Sequence, residues 1–361
     1  MTLTNLSREN PSSETTPVAT GTNAVAIGSG SVANGQHSFS IGQNTVSGTT
    51  DGKNYAVAIG YSATGTGAFS TSVGGFTDAT AQHALALGTY AQATGVRSSS
   101  IGRALASGAD SLASSLTNTS SSYGAQGASS VAIGKEAKAT GAGSIALSTK
   151  TYTGGAVATG SGSVAIGDGA AASGLLGMAI GRGATASGIM SMAYGRDSQA
   201  TQEESKAFGY RSYADVTGCF AYASGYFGAA NGDAQGRQYI LRKATTDATA
   251  TVLTTDAGNA TTNNQIRVPA NSVVVFDGVI TACQSGVAAY AGWRVEGMIT
   301  NDGGTTVIQN NTITAIKNES GWRCRLSAND STDSLVVTVT GEASHNIRWV
   351  ANIRTVETIY A

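Results

Sequence analysis

Apolar residues in this chain come in short triplets that return every fourteen residues: AVAIG at 24–28, SFSIG at 38–42, SVAIG at 130–134 and 163–167, GMAIG at 177–181, and SMAYG at 191–195. Large and small side chains alternate within each triplet, as in Val25-Ala26-Ile27 and Leu85-Ala86-Leu87, which predicts strands of about three to five residues. Strands so short need neighbours, and a fixed period means that one physical position is refilled coil after coil, as in a solenoid. That position holds Ile27, Ile41, Ile59 (after an insertion), Val73, Leu87, Ile101, Ile133, Leu147, Ile166, Ile180, Tyr194, Phe208 and Tyr222. The simplest expectation is a ladder pointing inward.

A weaker half-repeat, AQATG at 91–95, AKATG at 137–141, AAASG at 170–174 and ATASG at 184–188, completes each coil, so two strands and two corners are predicted per turn. Gly28, Gly42, Gly60, Gly88, Gly134, Gly167, Gly181 and Gly195 follow the triplets, where a tight corner demands positive φ or the absence of a Cβ. Gly35, Gly95, Gly141, Gly174 and Gly188 are their counterparts in the other half. With alanine filling most other positions, a coil buries little apolar area and is marginal alone. Identical chains sharing an axial core would supply the missing burial. A monomeric solenoid whose repeat serves only its own fold is the alternative.

Past residue 239 the period ends. Longer alternating segments at 272–283, 290–300, 312–317, 322–327, 335–340 and Ile347–Ile359 read as antiparallel strands. In the last, Ile347, Trp349, Ala351 and Ile353 make one apolar face while Arg348 and Asn352 point away; Leu335, Val337 and Val339 repeat the pattern. A β-sandwich or jelly roll of about eight to ten strands is predicted. The expected division is a leader at 1–22, repeats at 23–230, a junction at 231–238 around the turn signal NGDAQG, and a C-terminal β domain at 239–361.

Composition sharpens this picture. The 361 residues include 48 glycines and only 12% charged residues, and all three tryptophans, Trp293, Trp322 and Trp349, lie beyond the repeats. A net charge of −1 without runs of Lys or Arg offers no field for nucleic acid, and no stretch of about twenty apolar residues could cross a bilayer, so neither nucleic-acid binding nor membrane insertion is expected. Cys219, Cys283 and Cys324 have no metal-site spacing and read as isolated thiols.

The phrase SVAIGKEAKATG at 130–141 and its echo SVAIGDGAAASG at 163–174 resemble the head repeat of trimeric autotransporter adhesins. That resemblance implies a left-handed parallel β-roll solenoid in which three chains pack together; viral fibre proteins carry the same roll. The signal peptide, coiled-coil stalk and outer-membrane barrel expected of a bacterial member are not recognised here. YILRKATTDATATVLTTD at 239–256, VVFDGVITA at 274–282 and TVTGEASHNIRWVANIRTVET at 338–358 instead resemble a domain at the ends of phage tail-fibre proteins. The resemblances together imply an all-β homotrimeric fibre or spike of a bacterial virus that attaches to a host surface. Its partners would be itself, baseplate or capsid components, and a host-surface glycan or protein receptor. Its location would be the virion, as a tail or head fibre. A purely structural appendage, a bacterial surface adhesin and a polysaccharide-degrading tailspike are the alternatives, and residues 1–22 are either a virion adaptor or a simple leader.

No enzyme, cofactor or metal chemistry is expected. His37, His83 and His345 are scattered, GSGSVAIG at 160–167 lacks the lysine and helix of a phosphate loop, and nothing in the spacing of Asp277, Glu296, Asp302, Glu319, Asp330 and Asp333 selects a glycosidase pair. The breaks at 47–55 and 105–124 read as outward loops or slipped coils, either contact sites or tolerated insertions. The aromatic run from Phe208 to Phe227 is expected to widen or cap the roll, with Tyr210, Tyr213 and Tyr226 as candidate surface-glycan contacts.

Overall fold

The computed structural model describes residues 15–50, 55–116, 122–149, 154–228 and 230–360. The chain forms two compact units, Met1–Leu176 and Gly177–Ala361.

In the first unit every coil contributes one strand of three or four residues and one of two residues, and each stacks parallel on its equivalent in the next coil. Val25–Ile27 pairs with Phe39–Ile41, which pairs with Val57–Ile59, and the series runs on to Val164–Ile166. The two-residue strands form a second parallel sheet, from Val18–Ala19 beside Val32–Ala33 to Val157–Ala158 beside Ala171–Ala172. The coils therefore begin inside the expected leader: Val18-Ala19 repeats the outward-large, inward-small pair of Val32-Ala33. Residues 1–14 of that leader lie outside the described residues.

The coil step stretches where Phe39 pairs with Val57, Leu112 with Val131, and Ile145 with Val164. The register of the flanking strands is kept across the extra residues, of which 51–54, 117–121 and 150–153 lie outside the described residues. The 105–124 segment is not one loop. Leu105–Ala106 pairs beside Gln92–Ala93 and Leu112–Ser115 beside Ser99–Gly102, because Ala106 and Ala113 keep the small inward residue a coil requires.

Among the described residues, every buried apolar side chain of the first unit is an alanine, joined by buried serines and threonines. Such an interior lets two short sheets approach closely. It also strands polar groups: the hydroxyls of Ser130, Ser144 and Ser163 are buried without a hydrogen-bond partner. A buried hydroxyl left unpaired costs about 1–3 kcal/mol. The triple variant Ser130→Ala, Ser144→Ala, Ser163→Ala should therefore be more stable than the parent by about 1 kcal/mol or more, read as a raised midpoint in thermal unfolding.

The corners turn through the left-handed region. Gly28, Gly42, Gly60, Gly88, Gly134, Gly167, Gly181 and Gly195 all have φ between +102° and +138°. A Cβ on Gly134 would sit 1.9 Å from the carbonyl oxygen of Ser148 one coil on, whereas Gly141 lacks positive φ and is held by crowding alone, 2.1 Å from the Gly160 oxygen. Other corners hold non-glycine residues near φ +55°, and their side chains stack along the coils. His37, Tyr55, Phe69 and His83 form a continuous pile with ring centroids 4.9, 5.1 and 5.0 Å apart, the coil-to-coil spacing of a β-sheet.

In the second unit, the coil strands Met178–Ile180, Met192–Tyr194, Lys206–Gly209 and Phe220–Ala223 stack in the same way. Their interior stays alanine, at Ala179, Ala193, Ala207 and Ala221, so the aromatic run does not widen the roll; its rings point outward. The NGDAQG segment supplies a turn at Asn231 and Gly232, but from Ala234 onward it is strand rather than junction. Ala234–Thr245 pairs antiparallel with Phe220–Ala223 on one side and with Ile347–Ile359 on the other. The sheet continues through Ser272–Gln284, Tyr290–Asp302 and Thr305–Lys317. A smaller sheet of Thr251–Val252, Ile266–Arg267, Arg323–Asn329 and Ser334–Thr340 completes a sandwich-like part. Trp349 packs against Trp293 and Trp322 at 5.7 and 5.8 Å between ring centroids and donates its indole N–H to the Thr245 hydroxyl at 2.9 Å.

Candidate functional site

The ladder positions face outward. Ile27, Ile41, Ile59, Leu87, Leu147 and Ile166 are half-buried, while Ile101 and Ile133 are 43% and 41% exposed; the residue behind each, such as Ala26, Ala86 or Ala132, is the buried one. The reason is volume, since the gap between the sheets accommodates a methyl or hydroxymethyl group but no isoleucine. In the second unit Ile180 and Phe208 are half-buried and Tyr194 and Tyr222 exposed, with Phe208 5.9 Å from Tyr194 and 5.4 Å from Phe220.

A second outward line, unnoticed in the fourteen-residue reading, runs beside the first: Val25, Phe39, Val57, Thr71, Leu85, Ser99, Leu112, Val131, Ile145 and Val164 occupy successive register positions. The two lines make one broad apolar face in the first unit. The outward face of the two-residue strands differs: it mixes Val32 and Leu105 with Thr64, Asp78, Gln92 and Lys138. Of the two sheet faces, the first is the more apolar and the one that demands a cover. An isoleucine or leucine moved from water to a packed interface contributes about 1.5–3 kcal/mol, against about 0.8 for a buried methyl-sized group. The burial available outside a coil therefore exceeds what its alanines supply within.

Of the three candidate glycan contacts, the structure joins two. Tyr210 and Tyr226 meet edge-on at 5.6 Å, with Arg196 stacked 4.7 Å over the first ring and Arg211 3.9 Å over the second. Tyr213 is separate, on the strand Tyr213–Ala214, where its backbone N–H donates to the Gln235 side chain at 2.8 Å.

The carboxylates are mostly engaged in the fold. Asp302 accepts from the Tyr360 hydroxyl at 2.8 Å, Asp330 and Asp333 both hold Thr306, at 2.6 and 3.0 Å, and Glu319 pairs with Lys317 at 3.5 Å. Asp277 and Glu296 are register partners on adjacent strands, and Asp277 is ion-paired with Arg354. Sequence reasoning missed a buried ionic cluster. Arg237, 3% exposed, pairs with Asp215 at 2.6 Å and Glu357 at 2.8 Å, and Asp215 also reaches Arg267 at 2.5 Å. Gln235 donates from its side chain to Glu357 and, at 3.0 Å, to the Tyr213 carbonyl.

Burial pushes the Glu357 carboxyl above its usual range, against the pull of Arg237. Because the folded chain then holds that proton more tightly than the unfolded chain, the Glu357 contribution is fully present below the ordinary carboxylate pKa of 4.5 and is lost as pH rises through the raised folded value. Glu357→Gln, which keeps Asp215 as a partner for Arg237, should therefore cost most at pH 4, about 1–2 kcal/mol, and less at neutral pH. The difference in unfolding free energy between parent and variant should change with that sign across pH 4 to 7. A pH-independent difference would contradict the assignment. Burial also raises the Cys219 and Cys324 thiols to about 11, and all three cysteines are unpaired. Among the described residues no cluster of His, Cys, Asp and Glu is arranged to hold a metal ion.

The sequence matches the model of the YadA head domain repeat (2 copies) at 19–45, 53–77, 79–104, 125–147, 154–170, 158–184, 172–198 and 186–212, together less than half of the chain. No curated protein matches. Among solved structures, one similar chain is the tailspike protein gp49 of Acinetobacter baumannii bacteriophage Fri1, a capsular polysaccharide depolymerase, at 9% identity and a TM-score of 0.23, over 80% of this chain and 57% of that one. Another is the tailspike protein of Acinetobacter baumannii phage AM24, at 9% identity and a TM-score of 0.18, over 92% of this chain and 55% of that one. The chain thus spans little more than half the length of either tailspike. It is an all-β protein with a parallel β-solenoid whose repeats are related to those of adhesin heads.

Proposed function

We propose that the chain is a homotrimeric fibre or spike protein of a bacterial virus, in which three left-handed rolls pack side by side and display the C-terminal sandwich, and that its work is attachment to the host surface rather than catalysis. The observation that carries the reading is the outward apolar face on coils whose interior is alanine: an unshared face of this kind is a liability in water, and identical chains are its simplest cover. Repeats of the adhesin-head type support a surface role, and the phage-like phrases of the C-terminal part support a virion setting. Three copies of a weak receptor contact would act with an avidity beyond that of one. The Tyr210 and Tyr226 pair is the proposed glycan contact, and residues 1–22 the proposed link to baseplate or capsid components.

A bacterial surface adhesin is the second reading, favoured by the YadA-type repeat itself. Antibodies raised against the full chain decide between them: labelling of appendages on purified virions supports the first reading, and labelling of cells free of virus supports the second. Purified chain should also block adsorption of the virus to its plating host without releasing reducing sugar from the envelope. Labelled virions whose adsorption is unaffected would leave a structural appendage without a receptor site, and sugar release would establish a depolymerase.

A further inference from the structure

We infer that the open face of the C-terminal sheet is itself a self-association surface and packs against second copies of this chain. This rests on the three-chain reading of the coils. The observation is a line of register partners that does not stop where the repeats stop. Ile180 lies beside Tyr194, Tyr194 beside Phe208 and Phe208 beside Tyr222. Tyr222 then pairs with Gly236, Gly236 with Val356, Val356 with Val275, and Val275 with Met298. Register partners share a face of a sheet, so coils and antiparallel strands present one outward line. Val356, Val275 and Met298, in mutual register, are 67%, 53% and 37% exposed, although the opposite face of the same strands buries Phe276, Val295 and Trp349.

The adjoining rows give the face a partner. The row beside the apolar line reads Phe220, Gln238, Arg354, Asp277, Glu296 across the same strands, and Arg294 follows in the next row. Arg354 and Asp277 neutralise each other within the chain. Arg294 and Glu296, on one face of one strand, have no side-chain partner among the described residues. An unpaired cation and anion side by side are self-complementary: a related copy offers a carboxylate where this chain has a guanidinium. A shallow depression of about 510 Å³ lies between these rows, bordered by Gln238, Asp277, Arg294, Glu296, Asn352 and Arg354, with room for side chains of a neighbour. An apolar strip flanked by balanced charge fits another copy of the same strip better than a strongly charged ligand.

Cysteine cross-linking of the full chain tests this. In a Cys283→Ser background, which removes the native exposed thiol of this face, Val356→Cys and Met298→Cys are oxidised with copper phenanthroline and resolved on denaturing gels beside Ser331→Cys, an exposed turn position off the face. Chains held together present thiols at millimolar effective concentration, so at least one of the two face variants should give about tenfold more inter-chain product than the turn variant, unchanged on dilution. Sedimentation of the same samples separates the two claims. An assembled species with face thiols no more cross-linked than Ser331→Cys, and freely alkylated, would overturn this inference alone and leave the face open to a receptor. A single folded chain would overturn the three-chain reading as well. As a second variant, Val275→Lys should lower the thermal midpoint of the assembled protein only if the face is covered; an unchanged midpoint contradicts the inference.

Discussion

Lysine placed together at Ile133 and Ile166 should abolish assembly. Both residues belong to the outward ladder of the first unit, so neither change disturbs the alanine interior, and in an isolated coil each would be a tolerated surface substitution within about 0.5 kcal/mol. Covered by neighbouring chains, the same ammonium groups would meet their symmetry mates near an axis, desolvated and of like charge. At about 3 kcal/mol or more for each buried unpaired charge, two per chain weaken association by several orders of magnitude. Sedimentation velocity should then show lone or unfolded chains, against the trimer expected of the parent. The control, lysine in place of Thr64 and Gln92 on the polar face of the two-residue strands, should leave assembly intact. Equal tolerance of both pairs would remove the argument from the outward face.

The other large effect is local. Gly134→Ala should cost about 3 kcal/mol or more, because the corner holds φ at +102° and the new methyl would stand 1.9 Å from a backbone oxygen that the coil stacking fixes in place. Neither the corner nor its neighbour can shift without breaking register through adjacent coils, each of which leans on the next. Gly143 makes the comparison fair. It also has positive φ, +65°, but open space around a Cβ, so Gly143→Ala should cost only about 1 kcal/mol, the strain of an L-residue in that region. Denaturant unfolding of the two variants separates conformational strain from coil crowding; equal losses would mean that crowding contributes nothing.

The coil architecture was legible because repetition multiplies a weak local signal: a three-residue alternation is ambiguous once, but its return every fourteen residues fixes a stacked register. The strands around 272–283, 290–300 and Ile347–Ile359 were legible for a different reason, since Trp349 and Ile353 on one side and Arg348 on the other mark a half-buried sheet. The side the ladder faces was not legible, because a period identifies a position without saying what lies behind it. A finer signal was present. The middle residue of the triplet stays small, as Ala26, Ser40, Ala58, Ser72 and Ala86, while its neighbours range from Val to Phe to Thr, and constancy of size marks the crowded side.

The strand Ala234–Thr245 was hidden by its own function in the fold. Gln235 and Arg237 point inward into the ionic cluster with Asp215 and Glu357, so an inward face that should have read as apolar reads as polar. The corner residues with positive φ were obscured in the same way. His37, Tyr55, Phe69 and His83 are poor candidates for that backbone region one at a time, and ring stacking between coils, a contact between residues far apart in sequence, offsets the strain. Of the candidate contact residues, Tyr210 and Tyr226 could not be paired from sequence, because their meeting depends on how the chain leaves the last coil.

Everything proposed for the fibre follows from identical chains covering the apolar face of the coils, and analytical ultracentrifugation of the full chain across micromolar concentrations, paired with circular dichroism on the same samples, addresses that directly. The expected result is a single folded species of three chains, with folded signal lost wherever dilution or the Ile133→Lys, Ile166→Lys pair yields a lone chain. A monomer that keeps its full β-sheet signal at micromolar concentration would contradict it.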